Sequence, residues 1–376
     1  MNIRVRIAIL AFTSLIVLVS QISLSLALYS SSATVATSGT IVYHTYIVAT
    51  LAELNDVLPK VVAGDIVYIR GGVYYFPVVG SWETPMLSQS GITLESYLGE
   101  KAVFDGSKAV NPTSDIEAPL IFLTGSSTVL RNIEVRNSPG AGVFGNGDNN
   151  LLDHVEAHHC RGHGILMIGN NCQFLYCSAH DNSDPQAAIP GGDADGFEAG
   201  PPGTGAYFLG CLSFQNSDDG FDCFGSTGNT FEKCIAYGNG LLQGDGVGFK
   251  LYGENNRAIK CIAYNNRLEG FALGYLSSGN IADHCTAYNN GKDGFTSINL
   301  NTLTNNIGTI WYDTNPIQHD NTWNLGITNY GFVSTNSTSV DFLSLRADSL
   351  CRGKASDGSD LGALQYGERI SDLLGT

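Results

Sequence analysis

Hydrophobic residues alternate with polar ones in short stretches along most of the chain, a pattern that predicts strands rather than helices. Five of these stretches share one arrangement, in which a cysteine lies among hydrophobic positions and an asparagine follows five residues later. The cysteines are separated by 34, 23, 27 and 24 residues, and they are Cys177, Cys211, Cys234, Cys261 and Cys285. Weaker copies centre on Ile133 and Val155, each 22 residues from the next. The chain is therefore predicted to contain an internal repeat of short strands.

A second landmark, a glycine followed by a hydrophobic residue, keeps step with the first over seven units. It occurs at Gly142, Gly164, Gly196, Gly220, Gly248, Gly270 and Gly294. A repeat of roughly 22 to 28 residues, with Asn and Gly at the turns, is typical of one coil of a parallel β-helix. A leucine-rich repeat would place Leu at fixed offsets and a helix in each unit, and neither occurs. We therefore predict an all-β, single-stranded parallel β-helix, in which equivalent residues of neighbouring coils stack about 4.8 Å apart.

Stacking turns each landmark into a column that runs along the solenoid. The cysteine column continues Ile133 and Val155, so we expect its thiols to be buried, packed and reduced, although the spacing of neighbouring coils does not exclude disulfides. A second column, three residues after the cysteine column, is a stack of rings, formed by His158, His180, Phe214, Tyr237, Tyr264 and Tyr288. Five residues after each cysteine, side-chain amides are expected to bond one another as a ladder, formed by Asn182, Asn216, Asn239, Asn266 and Asn290.

The two ends of the chain depart from the repeat. Thr50 to Glu53 forms a capping box, followed by hydrophobic residues at helical spacing, which predicts a short helix covering the N-terminal end of the solenoid. We expect Ile66 to Ile69 to be the first strand. The repeats are clearest over 128–300, and after 301 an irregular tail is expected to pack along or over the C-terminal end. Residues 28–376 are thus interpreted as one domain.

The first 27 residues are predicted to lie outside this domain. Arg4 and Arg6 precede a hydrophobic run from Ile7 to Val19, and Ser25 and Ala27 supply small residues for a cleavage site. These features are typical of a signal peptide, so the mature protein is expected to be secreted. The alternative is an uncleaved anchor helix, because the hydrophobic stretch is nearly long enough to span a bilayer.

Charge narrows the range of partners. Only 14% of the 376 residues are charged, 43% are hydrophobic, and the net charge is −16. This composition argues against disorder and for a large buried core. Nucleic acid and anionic membrane surfaces are unexpected partners, because both bind through clustered Lys and Arg. An acidic substrate would be repelled by this net negative charge, so it is compatible with the sequence only if another group offsets the repulsion.

Aligning the coils on the glycine landmark brings several charged residues together. The residue before each glycine gives a column that contains His163, Asp195 and Asp219, while the residue two after it gives Glu198, Asp222 and Lys250 in order. Asp218 adjoins this group. Like charges about 5 Å apart raise one another's pKa unless a cation neutralises them. Several carboxylates with no imidazole or thiolate beside them favour a hard cation, and we predict Ca²⁺ at Asp195, Asp218, Asp219 and Asp222. The alternative is that these aspartates only form turns at solvated corners.

Lys250 is the only lysine of its column. It could be a snorkelling surface residue or a counterion to Asp222. Alternatively it is a general base, because a neutral lysine can remove a proton from carbon. Neighbouring carboxylates raise its pKa, whereas a bound cation and partial burial lower it.

Three motifs of this region resemble those of the family 9 polysaccharide lyases, chiefly pectate lyases: DADGF (193–197), NSDDGFD (216–222) and GVGFKL (246–251). The likeness extends to the segments 64–74, 91–107 and 357–364. The resemblance implies a right-handed parallel β-helix with an asparagine ladder. It also implies a calcium site on the same four aspartates and a catalytic base at Lys250.

The leading hypothesis is a secreted, monomeric, Ca²⁺-dependent pectate lyase that cleaves polygalacturonate by β-elimination. The alternatives are an inverting glycoside hydrolase that uses Asp219 and Asp222, a lyase for another uronate polymer, and a carbohydrate-binding solenoid without activity. Whether Glu198 and His163 contribute to the site, and whether the enzyme cleaves within chains or at their ends, stays open at this level.

Overall fold

The structure is a computed structural model that describes residues 43–78, 87–111, 117–275 and 277–375. Within these residues the strands form three parallel sheets, each built from successive coils of the chain. Neighbours within a sheet come from consecutive coils, so the chain visits each sheet once per turn. The predicted all-β parallel β-helix is therefore confirmed.

The strand boundaries are as follows. Sheet A contains β1 (Thr45–Val48), β2 (Ile66–Ile69), β4 (Thr93–Ser96), β7 (Val129–Arg131), β10 (Leu151–Asp153), β13 (Gln173–Leu175), β16 (Tyr207–Leu209), β19 (Thr230–Glu232), β22 (Arg257–Ile259), β25 (Ile281–Asp283), β28 (Thr302–Thr304) and β30 (Ile317–His319). Sheet B contains β3 (Gly72–Tyr75), β5 (Ala102–Asp105), β8 (Ile133–Arg136), β11 (Glu156–His158), β14 (Ser178–His180), β17 (Leu212–Phe214), β20 (Ile235–Tyr237), β23 (Ile262–Tyr264) and β26 (Thr286–Tyr288). Sheet C contains β6 (Ile121–Leu123), β9 (Val143–Gly145), β12 (Ile165–Met167), β15 (Phe197–Ala199), β18 (Phe221–Asp222), β21 (Phe249–Leu251), β24 (Phe271–Leu273), β27 (Phe295–Ser297) and β29 (Ile310–Tyr312).

Single left-handed residues turn the chain from sheet A into sheet B. Asn132, His154 and Tyr176 have φ angles of 56°, 53° and 52°, and Gly210 takes the same place in the next coil with 61°. One residue in this conformation bends the backbone sharply without a loop. Such residues cost roughly 1–2 kcal/mol each unless they are Gly or Asn. Packing of the stacked coils must therefore stabilise this corner.

The core is a set of stacked side-chain columns, as the spacing predicted. In sheet C the rings of five phenylalanines stack with centroids 4.8 to 5.0 Å apart, and these are Phe197, Phe221, Phe249, Phe271 and Phe295. All nine cysteines are free and buried, which agrees with the expected packed thiols. The ring column also forms, with His158, His180 and Phe214 stacked face to face.

The predicted asparagine ladder runs through the turn after sheet B. Each amide donates to the side-chain oxygen of the asparagine in the next coil at 2.9 to 3.1 Å, from Asn182 to Asn290. A second ladder, which the analysis of the sequence missed, lies in the turn before sheet A. There the side-chain oxygens of Asn256, Asn280 and Asn301 each accept a backbone N–H from the preceding coil at 2.9 to 3.0 Å. Both ladders satisfy backbone groups that the turns would otherwise leave buried and unpaired.

The N-terminal end differs in one detail from the prediction. Strand β1 precedes Ile66–Ile69, which is the second strand rather than the first. Helix α1 (Leu51–Val57) connects the two and is capped by Thr50, whose side-chain oxygen accepts the N–H of Glu53 at 3.1 Å. A 3₁₀ turn (Leu58–Lys60) follows, and Leu54 of α1 is fully buried in the core.

Beyond His319 the chain leaves the sheets and covers sheet B. Phe342, Leu364 and Leu373 pack against Ile235 and Ile262, and helix α2 (Ile370–Leu373) ends this segment. The predicted signal peptide, residues 1–27, lies outside the described residues. Among the residues that are described, no helix has the length and hydrophobicity that a membrane span requires.

Candidate active site

The charged residues of the predicted site lie on the outer face of sheet C. The register pairs Glu198 with Asp222, and Asp222 with Lys250, on the consecutive strands β15, β18 and β21. Side chains alternate along each strand, so the phenylalanine before each of these residues points into the core and the charged residue points outward. The column predicted from the glycine landmark is therefore present in the structure.

Lys250 lies at the centre of the carboxylates. Its Nζ is 2.8 Å from Oδ2 of Asp219, 3.2 Å from Oδ2 of Asp222 and 3.5 Å from Oδ2 of Asp245. Only 12% of its side chain is exposed, so it is not a snorkelling surface lysine. Burial lowers the pKa of Lys250, but the facing carboxylates, Asp222 and Asp219 foremost, outweigh burial and hold the pKa above its ordinary value.

Three of the four predicted metal ligands form a compact group. Asp195, Asp218 and Asp219 are all buried, and one carboxylate oxygen of each lies within 4.8 Å of the others. Backbone N–H groups hold them in place. Asp195 accepts from the N–H of Asp219 at 2.8 Å, Asp218 from that of Asp245 at 2.5 Å, and Asp219 from that of Val247 at 2.6 Å.

Asp222, the fourth predicted ligand, is oriented differently. Its Oδ1 accepts the backbone N–H of Phe224 at 2.7 Å, and its Oδ2 faces Lys250. Asp222 is therefore joined to the group of three through Lys250 and Asp219, and it lies outside the set of mutually close oxygens.

The carboxylates are held together at an electrostatic cost. Burial raises the pKa of Asp218 to about 7, with a further contribution from Asp195. Burial likewise raises the pKa of Asp222 to about 6 and that of Asp219 well above its usual range. Groups with these shifts gain from a bound cation, and donors that are all oxygen suit a hard ion such as Ca²⁺ better than Zn²⁺. The residues therefore fit the calcium ion that the sequence predicted.

His163 and Glu198, whose roles the sequence left open, extend the cluster toward the N-terminus. His163 is 8% exposed, with Nδ1 3.3 Å from Asp195 and Nε2 3.2 Å from Glu198. Burial lowers the pKa of His163, but Glu198 and Asp195 outweigh it and raise the pKa to about 10. Burial raises the pKa of Glu198 to about 7. His163 is thus a cation that partly neutralises the carboxylates on this side.

Asp245 is a site residue that the analysis of the sequence missed. It contacts Lys250 through its side chain and Asp218 through its backbone N–H. The sequence contained a signal for Asp245, because this residue stands three residues before Gly248, just as Asp193 stands three before Gly196. The segment lacks a second carboxylate before its glycine, so the spacing alone did not single it out.

The outer column continues on both sides of the charged residues. Toward the N-terminus it holds Phe144 and Leu166, which are buried and packed together with Phe122. Toward the C-terminus it holds Ala272 and Thr296, and it ends at Trp311, which is 49% exposed. The charged group thus separates a buried apolar stretch from one of smaller residues that ends on an exposed indole.

Comparison with known proteins places this architecture in a family. Residues 33–309 match the model described as the Pel9A-like, right-handed β-helix region. Pectate lyase L of Dickeya dadantii is 29% identical over 233 residues, which are 55% of this chain and 53% of that protein. Pectate lyase PEL9 of Emericella nidulans is 26% identical over 277 residues, 59% of this chain and 64% of that protein. The chain thus matches about half to two thirds of the length of these curated relatives.

A solved structure shows the same fold over nearly the whole chain. The crystal structure of pectate lyase Pel9A aligns with a TM-score of 0.75 at 22% identity, covering 89% of this chain and 98% of that one. The predicted right-handed β-helix and the resemblance to the family 9 lyases are confirmed. This chain belongs to the Pel9A-like right-handed β-helix family.

Proposed function

We propose that this protein is a Ca²⁺-dependent pectate lyase that cleaves polygalacturonate by β-elimination, with Lys250 as general base. The observation that carries the proposal is the contact of one buried lysine with a buried group of carboxylates on the outer face of sheet C. The relatives named as pectate lyases support the reaction class.

Asp195, Asp218 and Asp219 would hold the calcium ion, with Asp222 as the fourth ligand that the sequence predicted. A calcium ion bound there would attach a uronate carboxylate to an otherwise acidic surface and would acidify the proton on the adjacent carbon. This arrangement accounts for an anionic substrate on a chain with a net charge of −16.

Lys250 would remove the C5 proton of the uronate that lies over sheet C. The electron pair of that C–H bond forms the C4–C5 double bond as the bond from C4 to the glycosidic oxygen breaks. The leaving oxygen takes a proton from water, and the new non-reducing end is 4,5-unsaturated. Lys250 must be neutral to act, and the carboxylates that face it raise its pKa, so activity should increase toward alkaline pH.

A hydrolase that used Asp219 and Asp222 as its acid and base has less support. Both carboxylates face Lys250, and Asp219 is fully buried, which leaves it poorly placed to activate a water molecule at a sugar ring. The hydrolase also gives Lys250 no role.

The test is an assay of purified protein on polygalacturonate, with Ca²⁺ or with a chelator, followed by the ultraviolet absorbance of unsaturated product. We expect calcium-dependent absorbance. Shortened chains without absorbance would instead indicate a hydrolase, and binding without shortening would indicate a carbohydrate-binding protein. A full rate in chelator would contradict the calcium requirement.

We also propose that residues 1–27 direct export and that the protein acts outside the cell as a monomer. The basic residues, the hydrophobic run and the small residues at the expected cleavage site support this proposal. N-terminal sequencing of protein from the culture medium should start at residue 28. Retention of residues 1–27 in a membrane fraction would favour the anchor helix.

A further inference from the structure

A cavity of about 320 Å³ lies beside the proposed base, where strands β18, β21 and β24 end. Three aromatic residues line it: Phe224, Tyr252 and Tyr275. Phe224 follows Asp222 by two residues and Tyr252 follows Lys250 by two, so both lie just beyond the ends of the strands that carry the charged column. The Nζ of Lys250 is 5.7 Å from the centroid of the Tyr252 ring. The cavity is therefore adjacent to the candidate active site.

The aromatic rings are held as a platform and remain accessible. The rings of Tyr252 and Tyr275 stack with centroids 5.7 Å apart and an interplanar angle of 24°. Phe224 and Tyr275 are each 54% exposed, although large aromatic side chains gain free energy from burial. The backbone N–H of Phe224 donates to Oδ1 of Asp222 at 2.7 Å, which ties this part of the backbone to the charged cluster. Exposed rings next to a reactive group point to a bound molecule with apolar faces.

The charge of the lining restricts what that molecule can be. Among the described residues that line the cavity, Glu254 is the charged one, and none is Lys or Arg. Lys250 is close, but its Nζ already faces three carboxylates. A sugar carboxylate placed here would meet an acid and no free cation, whereas the C–H face of a pyranose ring would cover the exposed aromatic surface.

We propose that this cavity is a subsite for an uncharged pyranose ring of the substrate polymer, which stacks on Phe224 and Tyr275 next to the uronate that Lys250 attacks. The inference rests on the proposed function, because it takes the polymer to be cleaved at Lys250. It identifies the preferred substrate as a chain in which a neutral or esterified sugar neighbours a uronate. A uniformly charged polygalacturonate would be cleaved less efficiently.

The test compares Phe224→Ala and Tyr275→Ala with the wild type on two polymers, polygalacturonate and a polymer that alternates galacturonate with a neutral sugar. Tyr366→Ala, which removes a half-exposed ring in the C-terminal segment, is the matched control. We expect KM for the alternating polymer to rise about tenfold in each site variant with kcat changed less than twofold, which is about 1.4 kcal/mol of binding. The KM for polygalacturonate should change less than threefold. Phe224→Trp, which keeps an aromatic face at this position, should have the wild-type KM for the alternating polymer.

The results that would overturn the subsite are an unchanged KM in both site variants, or an equal rise on both polymers. Circular dichroism and thermal midpoints of the variants exclude a loss of folding as the cause. Affinity electrophoresis in gels that contain each polymer separates this inference from the proposed function, because it needs no catalysis. If the wild type makes no unsaturated product but is retarded by the alternating polymer, and the site variants are not, the subsite stands and the lyase activity fails. If the wild type is not retarded, the subsite is overturned.

Discussion

Adjacent residues on the same strands of sheet C face two different environments. Phe197, Phe221 and Phe249 form a continuous stack of rings in the core. The next residue of each strand belongs to a column that changes from acid to base over the same three coils. The inner column is uniform because every coil must fill the same interior. The outer column is free to vary, since the register is set from inside, and this is where the chemistry is concentrated.

The comparison also shows where electrostatic cost is tolerated. Two carboxyls elsewhere in the solenoid, Asp105 and Asp283, have a pKa lowered to about 2, because hydrogen bonds outweigh burial. Asp218, Asp219 and Asp222 near Lys250 have raised pKa values instead, because burial disfavours their charged forms. A scaffold stabilised by its interior columns can hold such a cluster in place until a cation neutralises it.

The sharpest test of the difference between the inner and outer columns is substitution at two neighbouring positions of β15. Phe197→Ala should lower the free energy of unfolding by about 3–5 kcal/mol, because it removes a buried ring from the stack. Glu198→Gln should change it by less than about 1 kcal/mol, since this side chain is partly exposed and its charge is already disfavoured. Chemical denaturation of both variants measures the contrast. Equal losses would show that the outer column also determines stability.

A smaller effect, on calcium affinity, is expected from a substitution at the N-terminal edge of the charged cluster. His163→Gln removes a cation that lies 3.3 Å from Asp195, so the site becomes more negative. Calcium affinity measured by calorimetry should increase about tenfold, or about 1.4 kcal/mol. His158→Gln, a substitution in the ring stack of sheet B, is the control and should leave calcium affinity unchanged. Weaker calcium binding in His163→Gln would mean that the imidazole positions Asp195 rather than merely neutralising it.

The smallest effect concerns pH in the absence of metal. The pKa values of Asp218 and Glu198 are raised to about 7, so between pH 5.5 and 7.5 the folded protein binds more protons than the unfolded chain. Stability must then increase as the pH falls through this range. In chelator we expect the thermal midpoint to be about 2–4 °C higher at pH 5.5 than at pH 7.5. Calcium should raise the midpoint at pH 7.5 and remove most of the pH dependence; a midpoint that falls toward pH 5.5 in chelator would contradict the raised pKa values.

Landmark spacing predicted the register of the site from sequence because each strand stacks directly on its equivalent in the next coil. That rule places Glu198, Asp222 and Lys250 in one column from the sequence alone. It could not predict that the imidazole of His163 bridges Asp195 and Glu198, or that Asp245 turns toward Lys250. These contacts depend on side-chain rotamers and on turns of unequal length. Strand β1 was missed because it precedes the repeat and carries neither landmark.

The central claim is that Lys250, set on a rigid column beside a calcium-binding group, is the base. The most direct measurement is the rate of unsaturated product from Lys250→Ala at saturating Ca²⁺, with Lys292→Ala as the control, since Lys292 pairs with Glu269 in the neighbouring turns. The account predicts a loss of about 10³-fold for Lys250→Ala, in the range that general-base catalysis supplies, and a near wild-type rate for Lys292→Ala. A rate for Lys250→Ala within tenfold of wild type, with native folding, would contradict it.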